Sequence, residues 1–169
     1  VIIAEGRLSV KWYEPVHIDQ LRDLHRCCFP AEQWKRGDFQ KFVDNRSGRN
    51  NVVKVLVDER ETVYGSMLYT LDAASCRFRR VAVWPDYRRR GLGAFMLNSL
   101  CGPTSPFQRK LFLARVREDN AVAQLFFRDG MGFQFDPERP REKAEGTELD
   151  YYEFTFVKPG AKVVVVDDE

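Results

Sequence analysis

A chain of 169 residues, with 44% hydrophobic and 13% aromatic side chains, is long enough for one domain with a real core. Charged residues make up 31% but the formal net charge is only +2, so any electropositive site is local and no nucleic-acid partner is expected. No apolar run approaches the ~20 residues that span a bilayer, and the first residues lack the features of a signal peptide, so a cytoplasmic protein with no membrane partner is expected.

Leu8 to Glu14 carries Leu8, Val10 and Trp12 at period two and reads as an opening strand with one face on the core; Pro15 ends it. From His17, the apolar positions Ile18, Leu21, Leu24 and Cys28 fall at helical spacing, and Pro30 stops the helix. Asp38 to Asn45 is a second, shorter helix with Asp38 as N-cap, followed by a loop over Ser47 to Asn51. Val52 to Asp58 and Thr62 to Leu71 form a hairpin around Glu59-Arg60-Glu61, and Gly65 within it marks a bulge or a close backbone approach. Arg77 to Trp84 is a strand that leads through Pro85-Asp86-Tyr87-Arg88 into a helix running to Leu100, which Gly102-Pro103 terminates. Lys110 to Val116 resumes a strand. Asn120 caps a helix from Ala121 to about Met131, apolar on most sides and so expected to pack on the sheet. Phe133 to Phe135 starts a strand, Asp136 to Glu148 is a charged loop, and Asp150 to Val157 closes the sheet. Residues 1–157 are expected to be one domain, with 158–169 an extension that forms either an edge strand or a tail.

Cys27, Cys28, Cys76 and Cys101 show no secreted-domain spacing and read as reduced thiols. His25 and Cys28 share a helical face, but two ligands do not make a zinc site, and no metal is expected.

The stretch that organises the chain is Arg77 to Leu100. A glycine-bearing turn from a strand into a helix leaves backbone N–H groups aimed outward, and the helix dipole adds positive potential there, which suits phosphate. Side chains at Gly91 or Gly93 would keep a pyrophosphate from the backbone, and Arg88, Arg89 and Arg90 supply positive charge. Taken alone, that spacing leaves a phosphate cradle and a solvated basic loop about even.

The flanks carry a resemblance. Val81-Ala82-Val83, Pro85 and Tyr87-Arg88-Arg89-Arg90-Gly91-Leu92-Gly93-Ala94 resemble the acetyl-CoA signature of the GCN5-related N-acetyltransferases, Gln/Arg-x-x-Gly-x-Gly/Ala after an apolar strand. Val116 to Asn120, followed by Ala123, Phe126, Phe127 and Gly132-Phe133, resembles that family's second motif. The resemblance covers about residues 8–157. It implies an α+β fold: a mixed seven-stranded sheet with helices on both faces and a splay between the fourth and fifth strands. It also implies acetyl-CoA as acyl donor, with Val81, Ala82 and Val83 beside the pantetheine arm, Arg88 to Ala94 around the pyrophosphate, and Asn120 and Phe127 at the cofactor. For Asn120, a plain helix cap is an equal alternative.

Two positions depart from the family pattern. Where many relatives carry a tyrosine as acid for the thiolate, this chain has Phe127; where relatives acting on ribosomal proteins have a glutamate base, it has Arg115. The second-motif helix also runs one residue longer before its Gly-Phe pair. Glu118 as base through water and Tyr151 or Tyr152 as acid are the candidate replacements; a solvent-facing carboxylate and packed rings are the alternatives. Phe29 and Trp34 resemble the peptide-slot wall of the ribosomal-protein alanine N-acetyltransferase group, or they simply cover the sheet end. Six acidic residues, Asp136, Glu138, Glu142, Glu145, Glu148 and Asp150, would line the opposite wall or a solvated loop. The acceptor expected is a protein or peptide N-terminus; a small amine, or no acceptor in a non-catalytic acyl-CoA-binding module, are the alternatives.

Overall fold

The β-branched and aromatic runs pair into a seven-stranded sheet: β1 (Ser9–Trp12), β2 (Asn51–Val57), β3 (Val63–Leu71), β4 (Ser75–Val83), β5 (Leu111–Arg117), β6 (Gln134–Phe135) and β7 (Tyr151–Val157). The computed structural model describes residues 2–3, 6–30, 37–44, 50–135 and 151–159. Strand order is β1-β2-β3-β4-β5-β7-β6, and every pairing is antiparallel except β4 with β5. A short hairpin of Ile2–Ile3 with Gly6–Arg7 precedes it.

Helices cover both faces. On one, Leu21 and Leu24 of α1 (Ile18–Cys28) and Phe42 and Val43 of α2 (Asp38–Val43) pack on Val53, Val55, Val57, Leu68 and Ala82. On the other, Leu92, Met96, Leu97 and Leu100 of α3 (Leu92–Cys101) pack on Leu56, Met67, Tyr69, Phe78 and Phe112. Full burial of such a side chain stabilises by ~1.5–3 kcal/mol, so the central strand β3, buried on both faces from Val63 to Tyr69, anchors the sheet.

Two irregularities shape the centre. The parallel pairing of β4 with β5 runs only from Ser75/Leu111 to Phe78/Ala114; beyond it, among the described residues, the strands diverge, which is the expected splay. The β3–β4 register shifts at Leu68/Tyr69, leaving Arg79 as the extra residue of a bulge. Gly65 meets both expectations for it. A Cβ there would lie 2.7 Å from the Ala82 carbonyl oxygen, and Leu56 pairs with Gly65 while Val57 pairs with Val63, a bulge at Tyr64.

Some expectations need correction. Trp12 is 62% exposed rather than on the core, its ring covered by the Lys54 ammonium at 4.2 Å. The N-cap of α2 is Gly37, with φ 87°, not Asp38. The helix after Asn120 is α4 (Ala121–Leu125), continued by a π-type turn over Phe126–Gly130 in which Met131 N–H donates to Phe126 O. That wide turn absorbs the extra residue before Gly132-Phe133. Val122 and Leu125, expected against the sheet, are exposed. Lys158 is tied down, its N–H donating to Lys110 O and its Nζ to Ser105 O; the extension from 160, the loop 136–150 and most of the 47–51 loop lie outside the described residues.

Candidate acyl-donor site at the strand splay

The end of β4 presents an open strand edge. Trp84 N–H donates to Tyr64 O at 3.1 Å, so by antiparallel alternation Ala82 also bonds toward β3, while Val81 and Val83 turn their backbone groups toward the gap that β5 leaves. An extended amide chain bonds to such an edge as an added strand would. The Val83 carbonyl accepts from Arg88 Nε at 3.0 Å and from the Cys28 thiol at 3.5 Å, and Arg88 Nη2 also reaches Cys28 Sγ at 3.4 Å. Arg88 is therefore folded back on the strand end and not set among the helix N–H groups.

Burial raises the Cys28 pKa, with Arg88 partly offsetting it, and burial lifts Cys76 to about 12. Cys27 is exposed, Cys76 and Cys101 buried, and all four thiols are free. Iodoacetamide on the native chain should therefore modify Cys27 first; equally fast labelling of Cys101 would contradict this burial.

Beyond the strand, Pro85–Tyr87 forms a 3₁₀ turn held by Tyr87 packing edge-on against Tyr64 at 4.8 Å. Arg89 and Gly91 follow with φ 65° and 76°. A left-handed non-glycine residue costs ~1–2 kcal/mol, and such strain concentrates at functional turns. The first helical bond of α3 is Phe95 N–H to Gly91 O, so the N–H groups of Leu92, Gly93 and Ala94 have no intrahelical acceptor. The two glycines are needed for different reasons. Gly91 has open space around a would-be Cβ and is required by its torsion; Gly93 would place a Cβ 3.0 Å from the Phe126 ring. Arg90 lies over the Tyr87 ring at 5.2 Å.

The remaining expected residues are more dispersed. Asn120 caps α4, its Oδ1 accepting from Ala123 N–H at 3.1 Å. Phe127 is 6% exposed, packed against Phe126, Phe133 and Phe154; it serves the core, and the expected cofactor contact is not where its side chain lies. Glu118, past the end of β5, is half-buried and its side chain makes no hydrogen bond or ion pair among the described residues. Tyr152 pairs with Val116 and sets its ring edge-on to Phe135 at 5.0 Å, on the α3 face. Phe29 follows the last residue of α1, under the Arg80 guanidinium; Trp34 lies outside the described residues.

His25 is the buried titratable group nearest this end of α1. It is 4% exposed, its Nε2 lies 2.9 Å from Ser66 Oγ, and among the described residues its Nδ1 has no hydrogen-bond partner. Burial, helped by the charge of Arg80, depresses its pKa to about 3. The folded value lies below the unfolded ~6.5, so the unfolded chain takes up the proton first on acidification. This contribution to stability is complete above that unfolded pKa and is lost as pH falls toward the folded one, at ~1.4 kcal/mol per unit. Between about pH 6.5 and about pH 5 the chain should lose ~2 kcal/mol that His25→Gln does not, measured by urea melts; parallel profiles would contradict the buried neutral imidazole.

Glu14, His17 and Glu61 bring three ligand-type atoms within 4.8 Å of one another. His17 already uses both ring nitrogens, Nδ1 accepting from Glu14 N–H and Nε2 bonding Glu61 Oε2, and Lys11 supplies the cation to Glu61. The cluster ties β1 and the β2–β3 turn to the start of α1.

A family model described as the acetyltransferase (GNAT) family matches residues 18–133, a span that contains the splay, the glycine turn and the α4 motif. The chain belongs to the GNAT acetyltransferase family. No curated protein matches it in sequence. Its GNAT fold recurs in the ribosomal-protein-S18-alanine N-acetyltransferase of Escherichia coli, at TM-score 0.72 and 17% identity over 95% of this chain and 99% of that one. It recurs also in NAA60 of Arabidopsis thaliana bound to acetyl-CoA, at TM-score 0.66 and 18% identity over 89% of this chain and 98% of that one. Naa50 of the same plant, bound to the bisubstrate analogue CoA-Ac-MVNAL, gives TM-score 0.66 and 17% identity over 88% and 97%. Within the GNAT frame, sequence reasoning missed the Cys28–Arg88–Val83 contact and the seat of Gly93 on Phe126; neither has a local signal.

Proposed function

We propose that this chain transfers the acetyl group of acetyl-CoA to the α-amine of a protein or peptide N-terminus, in the cytoplasm. The observation that carries this reading is the β4 edge, open at Val81 and at the Val83 N–H, running directly into the N–H groups of Leu92, Gly93 and Ala94 that lack a helical acceptor, a hydrogen-bonding track for pantetheine that ends in an anion site. The peptide-linked CoA analogue bound by the structurally similar Naa50, and the alanine acceptor named for the Escherichia coli enzyme, support an N-terminal acceptor.

Acetyl-CoA supplies an activated thioester. A neutral amine attacks its carbonyl carbon, a C–N bond forms, the C–S bond breaks and the CoA thiolate leaves, while the amine's proton passes to solvent. Backbone N–H groups around Val83 stabilise the oxyanion. Phe127 has no proton to give, so the thiolate, whose pKa resembles that of cysteine at ~8.5, leaves unassisted or takes a proton from Tyr152. Glu118 acts through water as base. Phe29 and Trp34 wall the acceptor slot.

Weak base assistance sets selectivity. At pH 7 roughly a tenth of an α-amine of pKa ~8 is neutral, against under a thousandth of a lysine of ~10.4. Free-thiol release from acetyl-CoA should run ~100-fold faster with an unblocked peptide than with the same peptide N-terminally blocked and carrying a lysine. Equal rates would overturn the α-amine assignment. Acetyl-CoA binding without release to any amine would favour a non-catalytic binding module, the reading that buried Phe127 and Arg115 support.

A further inference from the structure

The sheet face opposite α3 carries a strip of arginines that the acyl-donor site does not use. Cys76 and Phe78 of β4 point into the α3 core, so Arg77 lies on the other face, and beyond the bulge Arg80 shares that face with Ala82, which packs against the α1 side. On β5, Phe112, Ala114 and Val116 belong to the α3 core, which sends Arg115 to the same face as Arg77. Arg115 Cζ lies 5.8 Å from the Tyr151 ring centroid, and Arg80 lies 4.7 Å over the Phe29 ring. Arg77 pairs with Glu153 at 2.9 Å.

Arg79 is the informative member. It is the unpaired residue of the β4 bulge, it is exposed, and among the described residues its side chain makes no hydrogen bond or ion pair. Burial of part of its stem and the like charges of Arg115 and Arg77 lower its pKa. An exposed guanidinium at a bulge, beside like charges, is a ready partner for an anionic side chain. A second donor lies at the α1 edge of the same face. If the buried Ser66 hydroxyl donates to His25 Nε2, the imidazole proton is on Nδ1, a buried donor with no partner among the described residues, beside Phe29 and near the Arg80 charge.

The position of the strip gives it a role. The N-terminus of α3, where the donor's phosphates are read to bind, belongs to the α3 face, which leaves the opposite, arginine-bearing face for an acceptor at the splay. We propose that Arg79, with Arg77, Arg80 and Arg115 around it, selects acceptors whose N-terminus is followed by acidic side chains. The assignment rests on the N-terminal acetyltransferase reading above. An acidic peptide fits better than a nucleic acid, because the strip is short, flanks the splay and contains Glu153.

The test compares peptides of one length that differ only in the residues after the N-terminus, acidic, neutral or basic, by kcat/KM with the full chain. Acidic peptides should be favoured over neutral ones by about 10-fold at low salt, the advantage shrinking as salt screens it. Arg79→Gln should erase most of that ratio and Arg79→Glu should invert it, largely through KM, with calorimetric affinity for acetyl-CoA unchanged. That last measurement separates the two readings: lost acetyl-CoA binding by the parent would sink the donor site, whereas intact binding with no acidic preference sinks this proposal alone. If no peptide turns over, anisotropy of a labelled acidic peptide on the CoA-saturated chain reads the strip directly, and binding no tighter than that of the neutral peptide overturns it. Displacement of that peptide by a single-stranded oligonucleotide that binds more tightly would also overturn it.

Discussion

Replacing Arg89 and Arg90 together by glutamate should weaken acetyl-CoA binding ~100-fold while lowering the melting temperature by no more than ~4 °C. Both residues stand immediately before Gly91, the N-cap of α3, where the N–H groups of Leu92, Gly93 and Ala94 lack helical acceptors. Charge-assisted contacts to phosphate contribute ~1.5–3 kcal/mol each, and ~1.4 kcal/mol is tenfold in affinity, so reversing two charges beside a pyrophosphate amounts to about two decades. Little of this is structural. Arg90 loses its place over the Tyr87 ring, worth ~0.5–1 kcal/mol at an exposed site, and Arg89 has the same left-handed φ to satisfy whatever its side chain. Calorimetry and a thermal melt on the same samples check both halves. Unchanged affinity would mean that the turn holds no phosphate.

The second large effect is on stability. Gly65→Val is expected to cost ~2–4 kcal/mol and to lower the melting temperature by ~5–12 °C. A Cβ at this position would meet the Ala82 carbonyl oxygen at 2.7 Å and the Met96 methyl at 3.1 Å. Met96 can turn its flexible end aside, but the Ala82 oxygen is backbone of β4, next to Val81 and Val83, so relief requires β3 and β4 to separate. Acetyl-CoA affinity should therefore fall along with stability. Gly132→Ala is the comparison: its φ is also left-handed at 73°, but nothing lies within 4 Å of the added carbon, so the cost is the torsion alone, ~1–2 kcal/mol. Equal losses for the two variants would contradict the close β3–β4 approach.

How far these features were legible in the sequence follows from what kind of interaction makes each one. Runs of β-branched and aromatic residues located the strands of the main sheet, and the glycine-bearing turn after Val83 located the start of α3, because both signals are local. Alternation cannot say which end of an edge strand outruns its covering layer, and so Trp12 was expected on the core when it is exposed, with the Lys54 ammonium over its ring. Helical periodicity likewise treated Ala121 to Met131 as one helix. The extra residue before Gly132-Phe133 was countable, yet its expression as a π-type turn at Phe126 depends on Phe127 staying packed against Phe133 and Phe154. Gly93 was read as room for a phosphate; its neighbour is the Phe126 ring from a distant segment, a contact no local pattern reports. The arginine strip was visible only as scattered basic residues, since the bulge that turns Arg79 toward Arg77 and Arg115 exists through the register with β3.

The most direct measurement is a crystal structure of the chain with acetyl-CoA. The expected result is pantetheine bonded to the backbone of Val81 and Val83 in the splay, with pyrophosphate oxygens ~3 Å from the N–H groups at the start of α3. Acetyl-CoA lying instead across Arg79 and Arg115, or leaving the β4 edge unused, would contradict both the donor site and the division of the sheet into a donor face and an acceptor face.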